Sequence, residues 1–173
     1  MNRRIFLSVL LLMGAGPALA EKLAFDHRLS PELSQVLEAG DPAMVSFNDA
    51  NPRYLVDVIA VRGTSARDWT EALVIIARSP GRKVASAESW MEELRRESQR
   101  RCRGTYTVLA QDPQSITFER QSADCPPGYP PVGIYRVVQG KTSLFLLAAM
   151  AKDGISASSR AHWLALMESA RLE

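Results

Sequence analysis

The chain has 173 residues, with 21 Lys and Arg against 19 Asp and Glu, two cysteines and two histidines. That length suits one domain with a real core and no need of a metal to hold it together. The near balance of charge excludes a broad basic field of the kind that binds nucleic acid or an anionic membrane. His27 and His162 stand in no H-E-x-x-H or H-x-H spacing, which excludes the common metal sets, and the chain has no G-x-S-x-G, S-x-x-K or glycine-rich phosphate loop.

Residues 1–20 carry Arg3 and Arg4, an apolar core from Ile5 to Met13, then Gly14, Gly16, Pro17 and Ala18-Leu19-Ala20. This is the pattern of a secretory signal peptide cut before Glu21; an uncleaved N-terminal anchor is the alternative. The apolar run falls short of the roughly 20 residues that span a bilayer. Position 21 is not a cysteine, so lipid attachment has no acceptor. The expectation is a periplasmic protein with no integral membrane segment after cleavage. The leader holds two of the arginines and no acid, so 19 basic and 19 acidic residues remain and the net charge is zero.

Residues 21–53 read as a loose N-terminal arm with one short helix. Ser30 suits the N-cap, Pro31 the first helical position and Glu32 the positive end of the helix dipole, while Gly40 can end it. Leu33, Val36 and Leu37 give that helix one apolar stripe, and Met44 to Phe47 can form a short strand.

From Tyr54 the chain reads as a single α+β domain, 54–173. Tyr54 to Val61 is a strand, Arg62-Gly63-Thr64-Ser65 a turn, and Ala72 to Ala77 a strand with apolar residues on both faces, hence covered on both sides. Residues 79–81, Ser-Pro-Gly, stop it. A helix from Ala87 to Arg101 follows, capped by Ser86, with Ala87, Trp90, Met91, Leu94 and Ser98 on one stripe. Five arginines lie between Arg95 and Arg103, Arg96 and Arg100 among them. They allow an anion-binding surface, but Glu92, Glu93 and Glu97 stand at helical spacings from them, and cations suit a helix C-terminus, so a solvated face explains them as well.

Thr105 to Ala110 and Ile116 to Gln121 alternate as half-exposed strands. Residues 125–131, Cys-Pro-Pro-Gly-Tyr-Pro-Pro, form a stiff loop. Val132 to Gln139 and Thr142 to Met150 make a second hairpin, and the wholly apolar Leu144 to Ala149 fits a central strand. A helix from Ala157 to Leu172 closes the chain, with Trp163, Met167 and Ala170 on its inner stripe. Repeated hairpins with two long helices predict a mainly antiparallel sheet with those helices packed on it.

Cys102 and Cys125 form an even pair, and in an oxidising compartment they are read as a disulfide. Closing a loop of about 24 residues is worth roughly 3 kcal/mol. A redox or nucleophilic thiol is the alternative, without a C-x-x-C to carry it.

The run of a strand, a G-T-S turn, D-W-T-E and a second apolar strand resembles a group of small exported proteobacterial proteins whose architecture is similar to the PsbP-like α/β/α sandwich. Gly63, Thr64, Ser65, Asp68, Trp69, Thr70 and Glu71 carry the likeness. The resemblance implies an accessory or binding protein and brings no catalytic residue and no cofactor.

Two readings of Trp69 follow. As structure, its indole anchors the first hairpin to the core and its N–H meets a backbone carbonyl. As function, Trp69 and the proline loop, with Pro127, Tyr129 and Pro130, line a groove for a peptide or glycan. The function expected is a non-catalytic exported accessory protein that binds another envelope protein or the cell-envelope surface through a sheet edge or the proline loop. The alternatives are an inhibitor or immunity protein against a secreted hydrolase, and a hydrolase using two of Asp57, Asp68, Glu71 and Glu119 as a carboxylate pair.

Overall fold

The computed structural model describes residues 21–39, 45–47, 54–65, 68–78 and 85–173. The leader, Gly40 and the stop at 79–81 lie outside them. In chain order the elements are β1 (Leu23–Ala24), a 3-10 turn (His27–Leu29), α1 (Pro31–Ala39), β2 (Val45–Phe47), β3 (Tyr54–Gly63), β4 (Trp69–Arg78) and α2 (Ala87–Arg101). Then come β5 (Gly104–Asp112), β6 (Ser115–Ser122), β7 (Val132–Gln139), β8 (Leu144–Ala151), α3 (Ala157–Ser169) and β9 (Arg171–Leu172).

Seven strands form one antiparallel sheet in the order β2-β3-β4-β8-β7-β6-β5. The two hairpins meet where β4 pairs with β8, which places Leu144–Ala151 fourth in the order. Period-2 alternation then divides its apolar residues. Leu144, Leu146 and Ala148 pack on one side with Trp90 and Met91 of α2, and Phe145, Leu147 and Ala149 pack on the other with Trp163, Leu166 and Met167 of α3. The fold is therefore α+β with a covered antiparallel sheet, and among the described residues the short α1 packs on it beside the two longer helices α2 and α3.

Helix α2 forms over the residues that its stripe predicts. Ser86 Oγ accepts from the Ser89 N–H at 3.0 Å, and Ala87, Trp90 and Met91 are buried. Its acids pair at Arg78–Glu93 (2.8 Å), Arg95–Glu92 (3.2 Å) and Arg100–Glu97 (2.9 Å). In the first turn of the sheet Gly63 takes φ +133°, and a Cβ there would stand 2.4 Å from Trp69 Cα.

Three sequence expectations change. The arm before Tyr54 is docked over 21–39: Leu33 is fully buried beside Trp163 and Leu166, because the short apolar stripe of α1 needs a surface and the α3 side of the sheet supplies one. Glu21 fastens its beginning, accepting from the Lys141 N–H at 2.6 Å and the Thr142 N–H at 2.9 Å in the β7–β8 turn.

The last helix ends at Ser169, short of Leu172. Ala170 is extended, and the chain exchanges helix bonds for a ladder in which Leu23 and Ala24 face Leu172 and Arg171.

Strand β6 is covered rather than half exposed. It lies inside the sheet between β5 and β7, and every residue from Ser115 to Arg120 is buried. The edge strand β5 keeps the exposure, with Val108 and Leu109 outward.

Candidate functional site

The inner face of α2 changes character along its length. Trp90, Met91 and Leu94 fill the space above the sheet, but the next positions toward the C-terminus are Glu97, Ser98 and Arg101. None of these carries a bulky apolar group, and a cavity of about 210 Å³ remains beneath them. Its floor is Val74 and Ile76 of β4 with Leu146, Ala148 and Met150 of β8. Tyr106, Phe118 and Tyr135 form an aromatic wall, and Arg120 and Tyr129 close the end nearest the proline loop.

The wall is ordered by packing. Phe118 and Tyr135 stack with centroids 4.9 Å apart and planes 7° from parallel, and Tyr106 lies 6.3 Å from Phe118. Tyr106 Oη and Ser98 Oγ are hydrogen-bonded, which ties β5 to α2. Gly133 makes room for the Tyr135 ring, since a Cβ there would come within 2.5 Å of its Oη. Burial pushes the Tyr135 phenol up from its ordinary pKa, against the pull of the Arg120 charge, so it stays neutral at physiological pH.

Arg120 is the unusual residue. It is 1% exposed and projects from β6 on the α2 side, in register with Ile116 and Phe118. Its Nη2 donates to the Pro130 carbonyl, and its Nη1 reaches Cys102 Sγ at 3.4 Å and Ser122 Oγ at 3.5 Å. The guanidinium lies 4.9 Å from the Tyr129 ring centroid, while its Nε–H is buried without a hydrogen-bond partner among the described residues. No ion pair joins Arg120 to an acid among those residues. The acid that lines the cavity, Glu97, is exposed and paired with Arg100.

Of the residues singled out from the sequence, Cys102 and Cys125 lie at disulfide distance, with Cα atoms 4.7 Å apart, and join the end of α2 to the proline loop. Tyr129 lines the cavity, Pro130 is buried as the Arg120 acceptor, and Pro127 is exposed on the outer side of the same loop. The structure does not bring Trp69 to this place. It is half-buried, outside the cavity wall, with the Lys152 ammonium 4.5 Å above its ring. Arg96 is exposed on α2, and Arg100 is held by Glu97.

Arg120 is not among the residues singled out from the sequence. The signal was a cation in the third place of an alternating run, Ile116, Phe118, Arg120, where the period predicts an inward side chain.

Three of the four candidate carboxylates are engaged elsewhere, and Asp57 stands in β3 opposite Ile75 of β4. Glu71 accepts from Trp163 Nε1 at 2.5 Å and meets Arg62 at 3.4 Å. Glu119 accepts from Arg160 at 2.7 Å, and that bond holds its carboxyl below the ordinary pKa, against the effect of burial. Asp68 accepts from Thr64 Oγ1 at 2.8 Å. Among the described residues, no three His, Cys, Asp or Glu side chains gather at a distance that could hold a metal, and no helix is long and apolar enough to cross a membrane.

No protein-family model matches this chain, and no curated protein matches it. Among solved structures it is similar to the solution structure of cyanobacterial PsbP (CyanoP) from Synechocystis sp. PCC 6803, with 13% sequence identity and a TM-score of 0.44, over 78% of this chain and 95% of that one.

Proposed function

We propose that the mature chain is a non-catalytic binding protein of the bacterial periplasm whose recognition site is the cavity beneath α2, closed by the proline loop. The observation that carries this reading is the cavity itself: a preformed space of about 210 Å³ with an apolar floor, an aromatic wall, one buried cation, Arg120, and a second, Arg101, at the mouth. Small-molecule sites are built this way, largely apolar with a few placed polar groups. Export rests on the leader residues and on the cysteine pair, which suits an oxidising compartment.

An accessory role toward another envelope protein belongs to the outer side of the same loop. Pro126, Pro127 and Gly128 are exposed there, while Tyr129 and Pro130 face inward, so a ligand in the cavity and a partner on the loop would sense one another. The sheet edge is the weaker docking place, because β5 shifts register between Val108 and Ala110, and a bulge blunts strand addition.

The test is a panel of small amphiphiles titrated into the disulfide-intact protein, read by amide and side-chain chemical shifts. The reading expects shifts at Phe118, Tyr135 and Met150 that disappear in Ala148→Leu, a variant that fills the floor. Shifts confined to the outer surface, or none, would sink it.

A further inference from the structure

A buried guanidinium without an acid is costly to maintain unless something else meets its charge. Arg120 has a carbonyl, a sulfur, the hydroxyls of Ser122 and Tyr135 and an aromatic face as neighbours, which stabilise a cation without cancelling it. The nearest buried phenol, Tyr135, does not ionise to serve as its counter-charge. The unpartnered Nε–H and the cavity beside it occur at the same residue. A carboxylate is the natural complement of a guanidinium, planar and able to take a donor that is already desolvated.

The size of the space narrows the rest of the ligand. A dry cavity of about 150 Å³ already accepts benzene, so about 210 Å³ encloses one ring with a short chain, and a longer tail would run out through the mouth into water. Two cations line the space, Arg120 buried at its inner end and Arg101 exposed 5.9 Å from the same Tyr129 ring, and only the buried one is desolvated enough to fix a single negative charge. Glu97 at the mouth is paired with Arg100, and the exposed Arg101 beside it is screened by solvent, so charge selection falls to the buried Arg120.

We infer that the ligand of this cavity is a small amphiphilic monoanion, a carboxylate carrying an aromatic or short aliphatic tail, with its carboxylate at Arg120 and its tail against Phe118, Tyr135 and Met150. This inference rests on the reading of the cavity as the recognition site. In the bound state the carboxylate takes the Nε–H that is unpartnered in the free protein, and the ring joins the Phe118–Tyr135 stack. Because Arg120 also holds Pro130, a carboxylate there would alter the set of the proline loop and so couple the cavity to the loop's outer surface.

The experiment compares 3-phenylpropanoate, 3-phenylpropan-1-ol and 3-phenylpropylamine as probes of the disulfide-intact protein, by calorimetry and chemical shift at neutral pH. The acid is expected to bind roughly ten- to hundredfold more tightly than the alcohol, the range of a charge-assisted hydrogen bond over a neutral one, and the amine not at all. The preference for the acid should vanish as the pH falls below the range where the probe's own carboxyl ionises, a readout that needs no variant. In Arg120→Met the alcohol should still bind while the acid loses its advantage. If acid and alcohol bind equally to the wild-type protein, the inference about charge is overturned and the recognition site stands. If no probe moves the wall residues, the recognition reading falls and this inference with it.

Discussion

The two sides of the sheet treat buried charge differently. On the α3 side Glu71 receives the Trp163 N–H and meets Arg62, and Glu119 receives Arg160. Arg136 donates to Thr117 there, and although its Nε–H has no partner, the charges of Asp112 and Glu168 act on it. On the α2 side Arg120 has no such acid, and it borders an unfilled space. On the α3 side each of these charges has an opposite charge acting on it, so that side reads as finished structure. The α2 side keeps a cation and a void at the same point with no acid paired to it, and this contrast, more than any single residue, directs the functional reading to α2.

The largest effect expected belongs to the finished side. Trp163 is 1% exposed and its indole both fills the core and serves Glu71. Trp163→Ala should cost about 3 to 5 kcal/mol in a denaturant titration. A loss below about 1 kcal/mol would mean that the α3 side is loosely packed and that the contrast is false.

Next comes the disulfide, which acts on the α2 side. Cys102 ends α2 and Cys125 begins the proline loop, so reducing the pair frees the wall that Arg120 pins. The expected loss is about 3 kcal/mol for a loop of that length. Thiol titration of the exported, unreduced protein should find no free thiol; finding two removes the claim. Retained stability with a widened cavity, seen as loss of ring-current shifts at Tyr135, would sharpen the contrast instead.

Trp69 gives a smaller number. Half-buried, and stacked under Lys152 rather than seated in either core cluster, it should lose about 1 kcal/mol on change to Ala. A loss matching that of Trp163 would show that the end of the first hairpin is core after all.

What the sequence made legible follows from which forces are local. The hairpins and α2 could be read because their period is repeated over many residues: Leu144 to Ala149 for a doubly covered strand, Ala87 to Leu94 for a helix stripe. The docking of α1 could not, because Leu33 finds its partners in Trp163 and Leu166, more than a hundred residues on, and nine helical residues carry too weak a stripe to announce them. Two-residue β9 was hidden for a like reason, since its stability comes from β1 at the other end of the chain.

The site was the least legible part. A cavity is a property of what is missing, here inward apolar bulk at Glu97, Ser98 and Arg101, and the alternation that turns Arg120 inward says nothing of its neighbours until both flanking strands are in place.

The smallest effects test the contrast most directly, through a pair of changes that each delete one arginine. Arg160→Met strips Glu119 of its cationic partner on the α3 side and leaves it the Gln121 amide. The Arg160 side chain is 40% exposed, so solvent screens the pair and the cost at neutral pH is about 1 kcal/mol. Because Arg160 depresses the Glu119 pKa in the folded state, that stability is fully present above the ordinary carboxylate value and is lost as the pH falls through the depressed one. The gap between wild type and Arg160→Met should therefore close in acid. Arg120→Met removes a cation that has no acid to depress: the lost hydrogen bond to Pro130, about 1 kcal/mol, is offset by relief from burying the charge. Its stability should lie within about 1 kcal/mol of wild type, with no change of that difference across the carboxylate range. If Arg120→Met instead reproduces the acid-dependent gap of Arg160→Met, a carboxylate does meet Arg120 in the free protein, and the two sides of the sheet are alike.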